Sequence, residues 1–87
     1  MYEAVQRYYP ASEWVRAICI AGVETGGTYD NGLVGAAGEV SLWQLHPIHA
    51  GRFDLTRAAQ DVGYATWAAH QLWQEWGWQP WTAARWC

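Results

Sequence analysis

The chain has no lysine, and its positive charge comes from five arginines scattered along the sequence. The formal net charge is −3. Proteins that bind nucleic acid cluster positive charge against the phosphates, and proteins that bind anionic membrane surfaces carry similar basic patches. No such cluster is present. We therefore expect neither nucleic acid nor a membrane as a partner.

Long apolar runs are also missing, and none approaches the length needed to span a bilayer. The first residues, Met1 to Ala4, lack a positive region followed by an apolar one, so we expect no secretory signal peptide. Cysteine is scarce too. Cys19 and Cys87 are the only two, and neither belongs to a CxxC pair, so we expect no metal site and no cofactor.

Two interpretations of the cysteines remain open at this point. A disulfide between Cys19 and Cys87 would tie the C-terminal tail to a helix and stabilise the fold by about 4 kcal/mol in the chain-entropy model. Alternatively, Cys19 is a small buried apolar residue and Cys87 a free thiol. Spacing alone slightly favours the second interpretation.

What the sequence does contain predicts one mainly helical domain over residues 1–87, with eight tryptophans available for its core. Tyr2 to Tyr9 forms a short helix that ends at Pro10. Ser12 caps a second helix over about 13–24, and a third begins at Thr56 and runs to about Trp76. The predicted inward face of the second helix is Val15, Ile18, Cys19 and Gly22. The predicted core face of the third is Val62, Ala65, Ala69, Leu72 and Trp76.

Five glycines fall between the second and third helices, in the segment 25–40. We expect a loop there, or a small irregular β-hairpin, which would make the fold α+β in detail. Glu24 stands immediately before this segment, at the end of an apolar helical run. Apolar surroundings raise a carboxyl pKa, and a protonated Glu can donate a proton to a leaving group. The alternative is a solvated Glu at a frayed helix end.

Three motifs occur in order: Val23-Glu24-Thr25-Gly26-Gly27, then Ser41-Leu42-Trp43-Gln44-Leu45, then a helix followed by Gly77-Trp78-Gln79-Pro80-Trp81. In this order and spacing the chain resembles the lysozyme-like superfamily, in particular the compact lysozyme and lytic transglycosylase domains of bacteriophages and actinobacteria. The resemblance extends from about Val15 to Cys87. It departs at Thr25, where relatives have Ser, and at Ser41, where they have Gly. If that Gly position needs a positive φ, Ser41 is strained.

The resemblance implies cleavage of the β-1,4 bond between N-acetylmuramic acid and N-acetylglucosamine in peptidoglycan glycan strands. Glu24 matches the catalytic acid, and Gln44 matches a residue that lines the sugar cleft. Thr25, Trp43 and His46 are further substrate-binding candidates, although the core is the favoured place for Trp43. In many relatives a cysteine near the catalytic helix pairs with one in the tail, which favours a Cys19–Cys87 disulfide.

The second carboxylate distinguishes the possible activities. Glu39 lies five residues before Gln44, as the second carboxylate does in animal-type lysozymes, so we expect Glu39 to be catalytic in a hydrolase. An exposed Glu in a turn is the alternative, and Asp30 is the substitute second acid. A lytic transglycosylase would use Glu24 alone and leave 1,6-anhydro ends. A third hypothesis is an inactive sugar-binding or structural module of a phage tail. In each case we expect a phage product that acts in the host cell wall or belongs to a virion or larger lysin.

Overall fold

A computed structural model describes all 87 residues, and its ordered elements are helices, with no β-strand. Its four α-helices are α1 (Tyr2–Tyr8), α2 (Trp14–Glu24), α3 (Leu55–Ala58) and α4 (Val62–Trp76). Short 3-10 helices occur at Ala11–Glu13, Pro47–His49 and Thr82–Trp86. None of these helices combines the length and apolarity that crossing a membrane requires.

The start of α2 differs from the prediction that Ser12 caps it. The chain first makes the 3-10 turn Ala11–Glu13, and the α-helix begins only at Trp14 with no side-chain cap. The Trp14 indole N–H instead donates to the carbonyl of Tyr9, 2.8 Å away, across the bend at Pro10. This bond links α1 to α2, so the turn is held by an aromatic side chain and not by the serine hydroxyl.

The predicted inward face of α2 is wrong. Its buried residues are Ala17, Ile20 and Ala21, whereas Val15 is 83% exposed. The helix is apolar nearly all round, so two stripes satisfy the same three–four spacing and periodicity does not choose between them. The observed stripe puts Glu24 on the side of Ile20 and Ala21, because residues three and four apart share a helix face.

The predicted single helix from Thr56 to Trp76 is divided into α3 and α4. Asp54 accepts the backbone N–H of Arg57 to cap α3, and Asp61, in an extended conformation, accepts that of Tyr64 to cap α4. Such aspartates satisfy free helix N–H groups and favour a new helix start over continuation. The buried residues of α4 are Ala65, Thr66, Ala68, Ala69 and Leu72. Trp76, predicted to be in the core, is 60% exposed.

The glycine-rich connection after α2 is a loop and not a β-hairpin. Its only β-type pairing is two isolated antiparallel bridges, Val34 with Val40 and Val40 with Leu45. Asn31 fixes the loop to the helical part. Its side-chain N–H donates to the carbonyl of Ala58 at 2.8 Å, and its side-chain oxygen accepts the N–H of Leu42 at 3.1 Å. One amide side chain therefore ties the loop both to the end of α3 and to the segment at Leu42.

Buried tryptophans join the loop to the helices. Trp43 is fully buried, and its indole N–H donates to the hydroxyl of Thr66 on α4. The Trp81 indole N–H donates to the carbonyl of Trp43, and that of Trp78 donates to Glu13. Not every tryptophan is in the core, since Trp86 is 72% exposed. The two buried indoles, Trp43 and Trp81, thus have their N–H groups satisfied in the interior, as buried tryptophans require, and the partly buried Trp78 is paired as well.

The two cysteines form a disulfide. Cys19 on α2 is bonded to Cys87, with their Cα atoms 5.9 Å apart across a sequence separation of 68 residues. The pairing implied by the family resemblance is confirmed, and the preference from spacing alone was wrong. The bond holds the 3-10 helix Thr82–Trp86 against α2, the helix that carries Glu24.

Ser41 has a positive φ of 72°, the conformation in which a glycine would be unstrained. The residue is fully buried, and its hydroxyl oxygen accepts the N–H of Trp43 at 3.1 Å. Left-handed geometry costs a residue with a Cβ about 1–2 kcal/mol relative to glycine. Ser41 therefore combines backbone strain with a compensating hydrogen bond.

Two substitutions separate these effects. Ser41→Ala keeps the strain and leaves the Trp43 N–H unpaired, so we expect it to lower the free energy of unfolding by about 1–3 kcal/mol. Ser41→Gly loses the same bond but removes the strain, and should be more stable than Ser41→Ala by about 1 kcal/mol. Urea denaturation measures both. A Ser41→Ala variant as stable as Ser41→Gly would contradict the account of strain.

Candidate active site

Glu24 is the last residue of α2, and the turn behind it is tightly built. Gly26 and Gly27 have φ values of 62° and 87°, and the Gly27 N–H returns to the carbonyl of Gly22 at 2.7 Å. Thr25 is buried. Its hydroxyl donates to the carbonyl of Ala21 and accepts the N–H of Tyr29. These bonds leave the Glu24 carboxyl half-buried at a well-ordered helix end, which argues against a frayed terminus.

The environment raises the pKa of Glu24 above its usual value. Burial is the main cause, since it disfavours the charged carboxylate, and the negative charge of Glu39 adds to it. A hydrogen bond from the backbone N–H of Ala83 acts in the opposite direction and favours the ionised form. The structure therefore brings two groups from distant parts of the sequence, Glu39 and the Ala83 N–H, close to the Glu24 carboxyl.

Glu39 is oriented by the turn that precedes it. Its Oε1 atom accepts the N–H of Ala37 at 2.8 Å, and its backbone carbonyl accepts the N–H of Gly35 at 2.8 Å. Gly35 is required by space and not by its φ angle. A Cβ at that position would lie 2.7 Å from Oε1 of Glu39 and 2.6 Å from Oε1 of Gln44. Gly35 thus lets the two side chains converge on one spot.

Gln44 lies beside Glu39, but most of its side chain is already engaged. It has a positive φ of 49°, and its Nε2 donates to the carbonyls of Leu33 and Ser41 at 3.1 and 2.8 Å. Both amide hydrogens therefore tie the loop together. Only Oε1, which points toward Gly35, remains to accept a hydrogen bond from a ligand.

A small concavity of about 40 Å³ extends the site past Gln44. Its lining includes His46, His49, Leu72 and Pro80. The exposed His46 uses its Nδ1 to accept the N–H of Ile48. Burial, and then the neighbouring His46 and Arg52, lower the pKa of His49. A lowered pKa keeps the imidazole neutral at neutral pH, so His49 can both donate and accept hydrogen bonds there.

Not every predicted site residue reaches this surface. Trp43 is fully buried and Thr25 is 3% exposed, so both are structural residues and the prediction that they bind substrate is corrected. Asp30 is exposed and accepts the N–H of Gly32 within its own turn, and it does not contribute to the pKa shift of Glu24. Of these two carboxylates, only Glu39 therefore acts on the Glu24 carboxyl.

Two groups that shape the site were not predicted from the sequence. Gly35 is one of the clustered glycines, which is a signal, but the sequence does not show which side chains lie next to it in space. The backbone N–H of Ala83 has no signal in the sequence, since every residue except proline has that group.

The structure has no group of three or more His, Cys, Asp or Glu side chains placed to share a metal ion.

Glu24 and Glu39 are both partly exposed, and neither lines any of the three concavities of the molecule. Comparison of the chain with known protein families, with curated proteins and with solved structures gives no match.

Proposed function

We propose that this protein is a glycosidase that cleaves the glycan strands of peptidoglycan, with Glu24 as general acid. The observation that carries the proposal is the half-buried Glu24 carboxyl, whose pKa is raised by burial and by a second carboxylate, Glu39. Paired carboxyl groups with separated pKa values are the usual equipment of glycosidases. The lysozyme-like order of the sequence motifs supports the choice of substrate.

In this mechanism Glu24 donates its proton to the glycosidic oxygen, and the bond from that oxygen to the sugar C1 breaks. Positive charge develops at C1, and the Glu39 carboxylate stabilises it or bonds to it. The Ala83 N–H stabilises Glu24 once it has become an anion. Water then attacks C1, gives its proton back to Glu24, and leaves a reducing sugar end.

The position of Glu39 beside Glu24 favours hydrolysis over transglycosylation. In a lytic transglycosylase, Glu24 alone would act as acid and then as base while the 6-hydroxyl of the same sugar attacks C1. That reaction leaves a 1,6-anhydro end and does not need Glu39. The two activities thus differ both in their products and in their response to Glu39→Gln.

Purified peptidoglycan provides the test. We expect the wild type to release soluble fragments with reducing ends, identified by mass spectrometry, and Glu39→Gln to release far fewer. If the fragments had 1,6-anhydro ends and the Glu39→Gln variant were still active, the activity would be that of a lytic transglycosylase and not of a hydrolase. No release from several types of wall would reject both and leave an inactive sugar-binding module.

The pH dependence follows from the direction of the Glu24 shift. The acid must be protonated to act, so we expect cleavage to fall as pH rises through the raised pKa of Glu24. The folded state also binds this proton more tightly than the unfolded chain. Glu24 therefore contributes stability below its unfolded pKa, and that contribution is lost as pH rises through the folded pKa.

Glu39→Gln removes one of the two causes of the shift, so the pKa of Glu24 should fall toward its ordinary value but stay above it because burial remains. Titration of the Glu24 carboxyl carbon by ¹³C NMR measures this pKa without depending on activity. An unchanged Glu24 pKa in the variant would show that the two carboxylates do not interact.

A further inference from the structure

The largest concavities of the molecule contain none of the carboxylate site. Two hollows of about 320 and 470 Å³ adjoin each other and share Arg7, Tyr8 and Gly63. They lie where α1 meets α3 and the start of α4. We call them together the α1–α4 groove; the larger hollow is lined by the side chains of Arg7, Tyr8, Arg57, Asp61, Tyr64 and Trp67, and the smaller one also by Glu3. The size is that of a small-molecule binding site.

Aromatic rings form one side of the α1–α4 groove and are held in place. The Tyr64 hydroxyl accepts the N–H of Asp54 at 2.8 Å, and its ring lies 5.5 Å from that of Trp67. Trp67 also meets Phe53 edge-on at 5.8 Å. The Trp67 indole N–H and the Tyr8 hydroxyl make no hydrogen bond within the protein. Fixed flat surfaces with free polar tips are well suited to sugar rings, which have apolar faces and hydroxyl edges.

Two of the five arginines of the chain line the same groove. Arg57 lies over the Tyr64 ring at 4.4 Å and 3.6 Å from Asp61, so its guanidinium is oriented but still largely exposed. Arg7 is exposed and makes no ion pair. An unpaired guanidinium offers a planar set of donors that matches a carboxylate. Glu3 and Asp61 also line the two hollows, and Asp61 pairs with Arg57, so the unpaired Arg7 is the group of the groove that can bind a carboxylate of a ligand.

We propose that the α1–α4 groove is a second glycan-binding site, which holds carboxylate-bearing peptidoglycan strands apart from the carboxylate pair. This inference rests on the proposed function for its choice of polymer. Tyr8, Tyr64 and Trp67 contact the sugar faces, and Arg7 pairs with a carboxylate of the strand. A second contact with the same insoluble polymer raises the local concentration of substrate at Glu24.

Co-sedimentation with insoluble peptidoglycan tests the proposal in a Glu24→Gln background, so that the polymer stays intact. Arg7→Glu is the decisive variant, because it lies on an exposed helix position and should fold. We expect it to weaken binding at least about tenfold, as for a lost charge-assisted hydrogen bond. Arg16→Glu is the matched control: it is exposed on α2, makes no ion pair, lies outside the groove, and should bind within about twofold of its parent.

If Arg7→Glu and Arg16→Glu weakened binding to peptidoglycan equally, the effect would come from overall charge and not from the groove, and the proposal would be wrong. Unchanged binding in Arg7→Glu would also overturn it.

Trp67→Phe tests the aromatic side of the groove independently, since it keeps a ring but removes the indole N–H. It should bind more weakly than the parent, and unchanged binding would reject a role for Trp67.

Cleavage of short soluble glycan fragments by the wild type and by Arg7→Glu separates the proposal of a second binding site from that of the catalytic mechanism. Equal cleavage with weaker wall binding supports both, whereas wall binding without any cleavage rejects only the catalytic one.

Discussion

Replacing Glu24 by Gln is expected to lower the rate of peptidoglycan cleavage by about 10²–10⁴-fold, the usual contribution of a general acid. Gln has nearly the same shape as Glu, and its carbonyl oxygen can still accept the Ala83 N–H that Glu24 accepts. It has no proton to give to a leaving oxygen. The fold should be unaffected, because burial already disfavours the carboxylate that the substitution removes. Fragment release and urea denaturation, measured side by side, check both expectations.

Glu75→Gln is a matched control for this substitution. Glu75 is an exposed residue of α4 that pairs with Arg52 at the surface, and such pairs contribute little to stability. Full activity in Glu75→Gln with loss in Glu24→Gln would assign the chemistry to one carboxyl. If Glu24→Gln cleaved the polymer as fast as the wild type, the proposed mechanism would be wrong whatever the products.

Removing the disulfide should have the largest effect on stability. Cys19→Ser with Cys87→Ser opens a loop that spans 68 residues, and the chain-entropy model gives a loss of about 4 kcal/mol. In a domain of this size that corresponds to a fall in Tm of about 15–30 °C. Thermal unfolding with and without a thiol reductant measures it. The wild type should lose stability on reduction, and the double variant should not respond.

The same bond should also affect the site. The tail that it ties to α2 contains Ala83, whose backbone N–H lowers the pKa of Glu24. Trp81 holds the start of this segment through its indole bond to Trp43, so the tail keeps one anchor when the disulfide is lost. We therefore expect the double variant to retain reduced activity well below its lowered Tm. If the wild type had the same Tm before and after reduction, the disulfide would not be the main covalent constraint on the fold.

The helices were predictable where a local signal was unambiguous. Pro10 ends α1 and Gly77 ends α4, because one cannot continue a helix and the other readily adopts a positive φ, here 62°. The break between α3 and α4 was missed, although Asp61 is a good N-cap. Its neighbours on both sides suit a continuous helix, and only packing decides whether a capping aspartate starts a new one.

The candidate site shows the same division. Glu24, Glu39 and Gln44 were predicted from motif order and spacing; in the structure Glu39 raises the pKa of Glu24, and the side chains of Glu39 and Gln44 both approach Gly35. The same reasoning placed Thr25 and Trp43 at the substrate, where a buried hydroxyl and a buried indole serve the core instead. A polar side-chain group can serve a ligand or a backbone atom, and its residue type does not indicate which.

By itself the sequence determined the helical class, the boundaries at Pro10 and Gly77, the loop after Glu24 and the carboxyl groups able to do acid chemistry. These follow from local backbone preferences and from residue type. The tertiary structure alone decided which face of α2 is buried, that Cys19 reaches Cys87, and that Glu39 and the Ala83 N–H surround Glu24. Each of these depends on contacts between residues far apart in the chain, and a pKa is set by its neighbours in space.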